Sequence, residues 1–202
     1  MIKNIIFDLG GVLLGWSPEN IVGKFCYDED DKKLLLDAVF GDWVDYDAGR
    51  IDQDEKVSRS LASLPERLHD LARDLLDSWV YYLPRLEETI ALSERLRERG
   101  YKIFLLSNAP AYFSEKSGYY KFLSDFDGVI FSGDVKMEKP DRCIYDLAIN
   151  RYGIKSTQSI FIDDREDNVA GANRAGLHAY VFDGDVKKLE AFIDETIKKN
   201  EE

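Results

Sequence analysis

The sequence has little cysteine, histidine or positive charge, and each shortage excludes a class of protein. Its 202 residues include two cysteines and two histidines, and the formal net charge is −12. Two thiols cannot build a disulfide framework, and these few ligands lack the spacing of a zinc site. The acidity argues against nucleic-acid and anionic-membrane partners, because phosphate-rich surfaces bind basic patches.

Long apolar runs and two common enzyme signatures are also missing. No run approaches the length of a membrane-spanning helix, and the first strand pattern begins at Ile2, so we expect neither a membrane anchor nor a signal peptide. The sequence shows no Ser-His-Asp elbow and no Walker-type glycine-rich loop. With Cys26 and Cys143 interpreted as buried free thiols, the protein is expected to be cytoplasmic.

Short apolar runs bounded by polar residues or glycine predict a parallel sheet. The predicted strands are Ile2–Phe7, Lys102–Leu106, Gly128–Phe131, Ser159–Ile162 and Ala179–Phe182. Runs without polar alternation are typical of strands covered on both faces. The helical patterns that separate or follow them are Glu87–Arg99, Asp141–Arg151, Glu166–Ala175 and Asp185–Lys199. This alternation predicts an α/β fold with a doubly wound parallel sheet.

Residues 15–84 interrupt the alternation, because they carry helical patterns and no convincing strand. The patterns lie around Ile21–Phe25, Asp31–Phe40, Gln53–Leu61 and Glu66–Tyr82. We therefore expect two parts. Residues 1–14 and 85–202 would form the α/β core, and residues 15–84 a small helical insertion.

Acidic residues follow two of the predicted strands. Asp8 comes directly after the first apolar run, and Asp163 and Asp164 follow the run Ser159–Ile162. Because the carboxyl ends of strands in an open α/β sheet border the ligand crevice, we expect these acids to converge. An aspartate there can act as a nucleophile, and carboxylates are ligands that Mg²⁺ prefers. The sequence therefore predicts a Mg²⁺ site made by these acids.

Two further segments supply groups that an anionic substrate needs. Ser107 and Asn108 end the run Ile103–Leu106, where a hydroxyl and backbone N–H groups suit a phosphate oxygen. Pro140 restricts the backbone beside Lys139, whose ammonium can offset charge on a phosphoryl group.

Each of these segments alone has an ordinary structural explanation. Asp8 can cap a turn, the Ser-Asn pair is common turn chemistry, and most lysines are solvated. Either Asp163 or Asp164 can cap a helix that starts near Glu166. A cap explains one acid and leaves the second, beside Asp8, unexplained, so the combination favours a site.

In order and spacing, these segments resemble the motifs of the haloacid dehalogenase-like (HAD) hydrolase superfamily. The matching segments are Phe7-Asp8-Leu9-Gly10-Gly11-Val12-Leu13, Leu106-Ser107-Asn108, Glu138-Lys139-Pro140 and Phe161-Ile162-Asp163-Asp164. Residues 15–84 resemble the C1 cap of that superfamily, and Asp47-Ala48-Gly49-Arg50-Ile51 resembles a segment common in such caps. The resemblance covers nearly the whole chain and implies a Rossmann-like core.

The resemblance also implies roles for the matching residues. The implied catalytic residues are Asp8 as nucleophile, Ser107 and Lys139; the implied substrate-binding residues are Ser107, Asn108 and Lys139; the implied Mg²⁺ ligands are Asp8, the Gly10 carbonyl, Asp163 and Asp164. Asp163 would be either a direct ligand or a support for the other ligands.

Gly10 departs from the phosphatase pattern of the superfamily. A second aspartate usually stands there, protonates the leaving group and then activates water, a contribution of about 10²–10⁴-fold. The Asp-Leu-Gly pattern resembles a subgroup that includes α-D-glucose-1-phosphatase, whose anomeric phosphate leaves readily. We therefore expect a Mg²⁺-dependent phosphatase of a small phosphorylated metabolite, with a sugar phosphate as candidate substrate and an aspartyl-phosphate intermediate on Asp8.

The insertion offers three candidate substrate contacts. Trp16 and Trp43 are assigned chiefly to core packing, whereas Arg50 is kept as a predicted contact with the substrate.

Three alternatives stay open. A 2-haloacid dehalogenase also lacks the second aspartate, but it places small neutral residues where Asp163 and Asp164 stand. A catalytically weak HAD-like protein that binds a phosphometabolite is the second, and the retained Asp8, Ser107 and Lys139 argue against it. A phosphotransferase is the third. The expected partner is a small phosphorylated metabolite, with no nucleic acid or membrane, and the protein would be a monomer or a homodimer.

Overall fold

A computed structural model describes residues 1–200, and within that range it contains one five-stranded sheet in the order β3-β2-β1-β4-β5. The strands are β1 (Asn4–Phe7), β2 (Lys102–Ser107), β3 (Gly128–Phe131), β4 (Ser159–Asp163) and β5 (His178–Val181). Every pairing is parallel, and β1 lies in the centre between β2 and β4. The predicted doubly wound α/β fold is therefore confirmed.

Helices cover the sheet and fill the segment between its first two strands. They are α1 (Pro18–Val22), α2 (Glu29–Phe40), α3 (Trp43–Asp47), α4 (Gln53–Ala62), α5 (His69–Ser78), α6 (Glu87–Glu98), α7 (Ala111–Lys116), α8 (Ser132–Val135), α9 (Arg142–Tyr152), α10 (Glu166–Arg174) and α11 (Val186–Lys199). The four helices predicted outside residues 15–84 are confirmed to within one residue at each end. Four of the five differences are caps: Asp141 and Asp185 precede α9 and α11, and Arg99 and Ala175 follow α6 and α10. The fifth is Tyr152, which extends α9 by one residue.

Apolar side chains bury both faces of the sheet. Along β1, Ile5 and Phe7 belong to one buried cluster, while Ile6 belongs to a second cluster with residues of α9 and α10. This alternation is what a strand covered on both sides requires. It explains why the sequence shows a continuous apolar run there.

The helical insertion, residues 15–84, contains α1–α5 and no strand of the described sheet. Its buried residues, Leu35 and Trp79 among them, belong to the same apolar cluster as Phe7 and Leu105 of the sheet. Helix α3 was not predicted, because five residues are too few to show a 3.6-residue period. The division of the chain into two domains stays a prediction.

The interpretation of both cysteines as buried is wrong for one of them. Cys26 is buried, but Cys143 is exposed, because it lies in the first turn of α9, whose buried side is formed by Ile144, Tyr145 and Ala148. Among residues 1–200, no helix combines the length and apolarity that crossing a membrane would need.

Candidate active site

The strand register brings the three predicted acids together. The Asp8 N–H extends the β1–β4 ladder by donating to the Ile162 carbonyl at 2.8 Å, so Asp8 lies beside Asp163. Asp8, Asp163 and Asp164 each offer an oxygen, and these oxygens lie within 4.8 Å of one another. They stand at the carboxyl end of β1 and β4, where the strand order of the sheet reverses.

Lys139 lies between two of these acids. Its Nζ is 2.8 Å from Asp8 Oδ1 and 2.6 Å from Asp163 Oδ2, and its side chain is buried. Burial acts to lower the pKa of Lys139, but the two carboxylates outweigh it and raise that pKa above its ordinary value. The lysine is therefore a fixed cation beside Asp8.

The environment of Asp8 disfavours its charged carboxylate form relative to the protonated form. Burial raises its pKa to about 7, against the opposing charge of Lys139 and with a further increase from Asp163. Asp8 Oδ1 is buried and lies 2.8 Å from the Lys139 ammonium, and no other donor among residues 1–200 forms a hydrogen bond to it. A carboxylate oxygen with no such donor can also coordinate a metal cation.

The Asn108 side chain joins the Ser107 strand end to the Lys139 loop. Its Nδ2 donates to the Lys139 carbonyl at 2.9 Å, and its Oδ1 accepts from the Lys139 N–H at 2.8 Å. Both ends of the amide are thus engaged by the backbone, and Asn108 positions the lysine. Ser107 is buried at the end of β2 and lines the same cavity as Asp8.

Asp163 is held by groups that the motif did not include. Its Oδ1 accepts from the Arg165 N–H at 2.9 Å, and Asn168 Nδ2 donates to both of its oxygens at 3.0 and 3.1 Å. Asn168 lies in the first turn of α10, and no signal in the sequence distinguished it from a helical surface residue. Asp164 lines the cavity, and its partial burial, followed by the charge of Asp163, raises its pKa.

The two glycines after Asp8 differ in what they require. Gly11 has φ +72°, and a Cβ built there would lie 2.2 Å from Asp164 Oδ2, so only glycine leaves room for that carboxylate. A Cβ at Gly10 would meet its nearest neighbour, Trp16 Cβ, at an ordinary 3.7 Å. An added Cβ therefore fits at Gly10 but not at Gly11.

A cavity of about 380 Å³ connects these polar residues to the helical insertion. We call Asp8, Ser107, Lys139, Asp163 and Asp164 the floor. The same cavity is also lined by Trp16, Trp43, Trp79 and Phe113, which we call the aromatic wall. Trp43 is packed in the core as predicted and also reaches the cavity, whereas the core-packing prediction for Trp16 is wrong: this residue is 39% exposed.

Asp47 is a cavity residue whose role the sequence did not indicate, although its segment was singled out. It lines the cavity at the end of α3, and burial raises the pKa of its carboxyl well above the ordinary value, with further contributions from Asp8 and Glu138. Its carbonyl accepts from Ser132 Oγ at 2.5 Å. Arg50, predicted as a substrate contact, instead pairs with Glu138 at 2.6 Å and fastens this segment to the core.

Comparison with known proteins agrees with this architecture. A family profile for haloacid dehalogenase-like hydrolases matches residues 2–176. The sesquiterpene phosphatase astK of Aspergillus oryzae is 25% identical over 87% of this chain and 87% of its own. Phosphoglycolate phosphatase of Aliivibrio fischeri is 26% identical over 90% of this chain and 84% of its own.

A solved structure shows the same likeness in three dimensions. It is a HAD family enzyme from Bacteroides thetaiotaomicron in complex with magnesium and inorganic phosphate, with 25% identity and a TM-score of 0.64. The match covers 89% of this chain and 93% of that enzyme. The profile spans most of the sequence and includes every residue of the floor, so the chain belongs to the haloacid dehalogenase-like hydrolase family.

Proposed function

We propose that the protein is a Mg²⁺-dependent phosphatase that hydrolyses a small phosphorylated metabolite through an aspartyl-phosphate on Asp8. The observation that carries the proposal is the floor itself, where three carboxylates meet within 4.8 Å and Lys139 lies 2.8 Å from Asp8. The relatives named as phosphatases support the reaction. The magnesium and phosphate bound by the Bacteroides thetaiotaomicron enzyme support the cofactor.

The floor fits a Mg²⁺ ion. Its donors are hard carboxylate oxygens, and Asp8 Oδ1 is buried with no donor other than Lys139 among residues 1–200. Asp8, Asp164 and the Gly10 carbonyl would hold the ion, whereas the oxygens of Asp163 are engaged by Lys139 and Asn168, so Asp163 would support the others. The ion would supply positive charge to the phosphoryl oxygens and to the crowded carboxylates.

The residues of the floor then divide the reaction between them. The Asp8 carboxylate attacks phosphorus and displaces the leaving group, forming an acyl phosphate. Lys139 and Ser107 hold phosphoryl oxygens, and Lys139 offsets the charge that develops on them. Water then attacks the acyl phosphate, which releases phosphate and restores Asp8. We propose hydrolysis rather than transfer onto another alcohol, in line with the relatives named as phosphatases.

Gly10 provides no side chain to protonate the leaving group. We therefore propose a preference for phosphates whose leaving group is stable as an anion, such as a sugar 1-phosphate or an acyl phosphate. The α-D-glucose-1-phosphatase subgroup is a functional parallel in this proposal, in which residues 15–84 would act as a C1 cap that selects the substrate. A comparison of sugar 1-phosphates with 6-phosphates tests this preference, and equal rates would remove it.

The basic experiment is hydrolysis of p-nitrophenyl phosphate with Mg²⁺ by the wild type and by Asp8→Asn. We expect turnover by the wild type, loss of turnover in the variant and loss with EDTA. Equal rates for the wild type and Asp8→Asn would favour the alternative that the protein binds a phosphometabolite without hydrolysing it. Dechlorination of 2-chloropropionate that survives EDTA would replace the phosphatase with a dehalogenase.

A further inference from the structure

We propose that the leaving group of the substrate is an apolar aryl moiety, which binds against the aromatic wall. This inference rests on the proposed phosphatase function and narrows its substrate class. The floor would bind the phosphoryl group, and the wall would contact the leaving group attached to it. The sugar phosphate expected from the sequence is the competing ligand.

The aromatic wall is a continuous surface. The centroid distances are 5.3 Å for Trp16–Trp43, 4.9 Å for Trp43–Trp79 and 5.9 Å for Trp79–Phe113. The sequence contains three tryptophans, and all of them line this cavity together with Asp8. Packed rings that line a cavity are suited to apolar and flat ligands.

Part of the wall is exposed and apolar. Trp16 is 39% exposed and Val44, which lines the cavity beside it, is 65% exposed. Large apolar residues grouped at the mouth of a polar cavity mark a surface that a ligand covers. An apolar leaving group would remove this surface from water while its phosphate reached the floor.

The wall itself offers few partners for hydroxyl groups. Its polar atoms are the indole N–H groups of its three tryptophans, and that of Trp79 is buried with no acceptor among residues 1–200. A sugar would bring several hydroxyls, each of which loses water on binding and needs a partner. The carboxylate and amide groups that also line the cavity, such as Asp47, Asn108 and Glu138, are not part of the wall.

The first test uses para-alkylphenyl phosphates from 4-methyl to 4-pentyl, with Mg²⁺ and the full-length enzyme. Para-alkyl groups leave the acidity of the phenol nearly constant, so the series varies apolar size alone. We expect kcat/KM to rise by up to about fourfold for each buried methylene. Glucose 1-phosphate should give a lower kcat/KM than any member of the series.

Two variants locate the effect on the wall. Trp16→Ala and Val44→Ser, a substitution at an exposed position that folding should tolerate, should each flatten the rise with alkyl length. Tyr27→Ala is the matched control, because Tyr27 is an 86% exposed aromatic residue of the same insertion that lies outside the cavity lining. That variant should keep the wild-type dependence on alkyl length.

Tryptophan emission gives a readout that needs no turnover. In Asp8→Asn with Mg²⁺, phenylphosphonate should change the emission at concentrations where methylphosphonate does not. A flat alkyl series, or a higher kcat/KM for glucose 1-phosphate, would overturn the apolar leaving group while the phosphatase stood. Failure to release phosphate from any ester or from acetyl phosphate would overturn the phosphatase itself.

Discussion

The floor of the cavity and the helical insertion each bury a lysine, and the two lysines differ in their charge environment. Lys139 faces the carboxylates of Asp8 and Asp163, which raise its pKa despite burial. Lys56 has a fully buried side chain paired with Asp42, and burial outweighs that pairing and lowers its pKa. Two buried lysines therefore have opposite pKa shifts: two carboxylates pair with Lys139, whereas Lys56 pairs with one and also lies near the like charge of Arg59.

The comparison indicates that the charge of Lys139 serves catalysis, whereas the charge of Lys56 serves the folded structure. At the floor, one ammonium is shared by carboxylates that repel each other, an arrangement that favours binding of a further cation and of an anionic substrate. In the insertion, Lys56 Nζ lies 5.8 Å from the centroid of the Trp43 ring and supports the aromatic wall from behind. Its replacement should affect folding more than catalysis.

The largest expected difference is in activity. Lys139→Met should lower kcat/KM on p-nitrophenyl phosphate by about 10²–10³-fold, because it removes the fixed charge beside the reacting phosphoryl group. Lys56→Met should change kcat/KM by less than about threefold, since its ammonium does not line the cavity. Circular dichroism would confirm that both variants are folded. Similar losses of kcat/KM in both variants would contradict the proposal that only Lys139 acts in catalysis.

The second prediction concerns the stability of a variant that lacks the Lys56–Asp42 ion pair of the insertion. Asp42→Asn leaves the Lys56 ammonium buried without its carboxylate and should lower the free energy of unfolding by about 2–3 kcal/mol, a value reduced because Asp42 is 28% exposed. Lys56→Met removes the buried charge and should cost less. Urea unfolding of both variants measures the difference, and the reverse order would contradict it.

The third prediction concerns the room that the floor keeps for Asp164. Gly11→Ala should weaken Mg²⁺ binding by about 10–100-fold, because the new Cβ would displace the Asp164 carboxylate and the backbone has positive φ. Gly10→Ala is the neighbouring control and should bind Mg²⁺ normally, since its Cβ has space. Titration calorimetry compares them, and equal affinities would show that Asp164 does not need its present position.

Sequence patterns predicted the sheet, the outer helices and the meeting of Asp8 with Asp163 and Asp164, because these features follow from local periodicity and strand ends. They also predicted helices within residues 15–84, where α2, α4 and α5 lie. Short helix α3 could not be predicted, and with it Asp47 was missed as a cavity residue. Its place depends on contacts between Asp47, Ser132 and Glu138, which are distant in sequence.

Side-chain partners were harder to predict than backbone elements. Asn108 lines the cavity, and its amide also holds the Lys139 backbone; its role in substrate binding stays a prediction. Asn168 had no motif to mark it. Trp16 and Trp43 were assigned to the core because aromatic residues usually pack there. Whether such a ring lines a cavity depends on how the insertion packs on the sheet, which local sequence does not encode.

The last prediction concerns the pH dependence of stability without metal. Because burial raises the pKa of Asp8 to about 7 in the folded protein, against an ordinary value near 4, the folded state binds a proton more tightly than the unfolded state. The resulting stabilisation is complete below about pH 4 and is lost as pH rises through about 7. In EDTA, the Tm of the wild type should fall over this interval relative to that of Asp8→Asn.

Mg²⁺ should restore the stability that is lost at high pH, and Asp47→Asn is the matched control variant. At pH 8 the ion should raise the Tm of the wild type more than that of Asp8→Asn, because the variant offers one carboxylate fewer. Asp47→Asn also removes a carboxyl with a raised pKa and should stabilise the metal-free protein, but it should keep the wild-type response to Mg²⁺, since Asp47 lies outside the three-carboxylate cluster. A lost response in Asp47→Asn would extend the metal site across the cavity into the insertion.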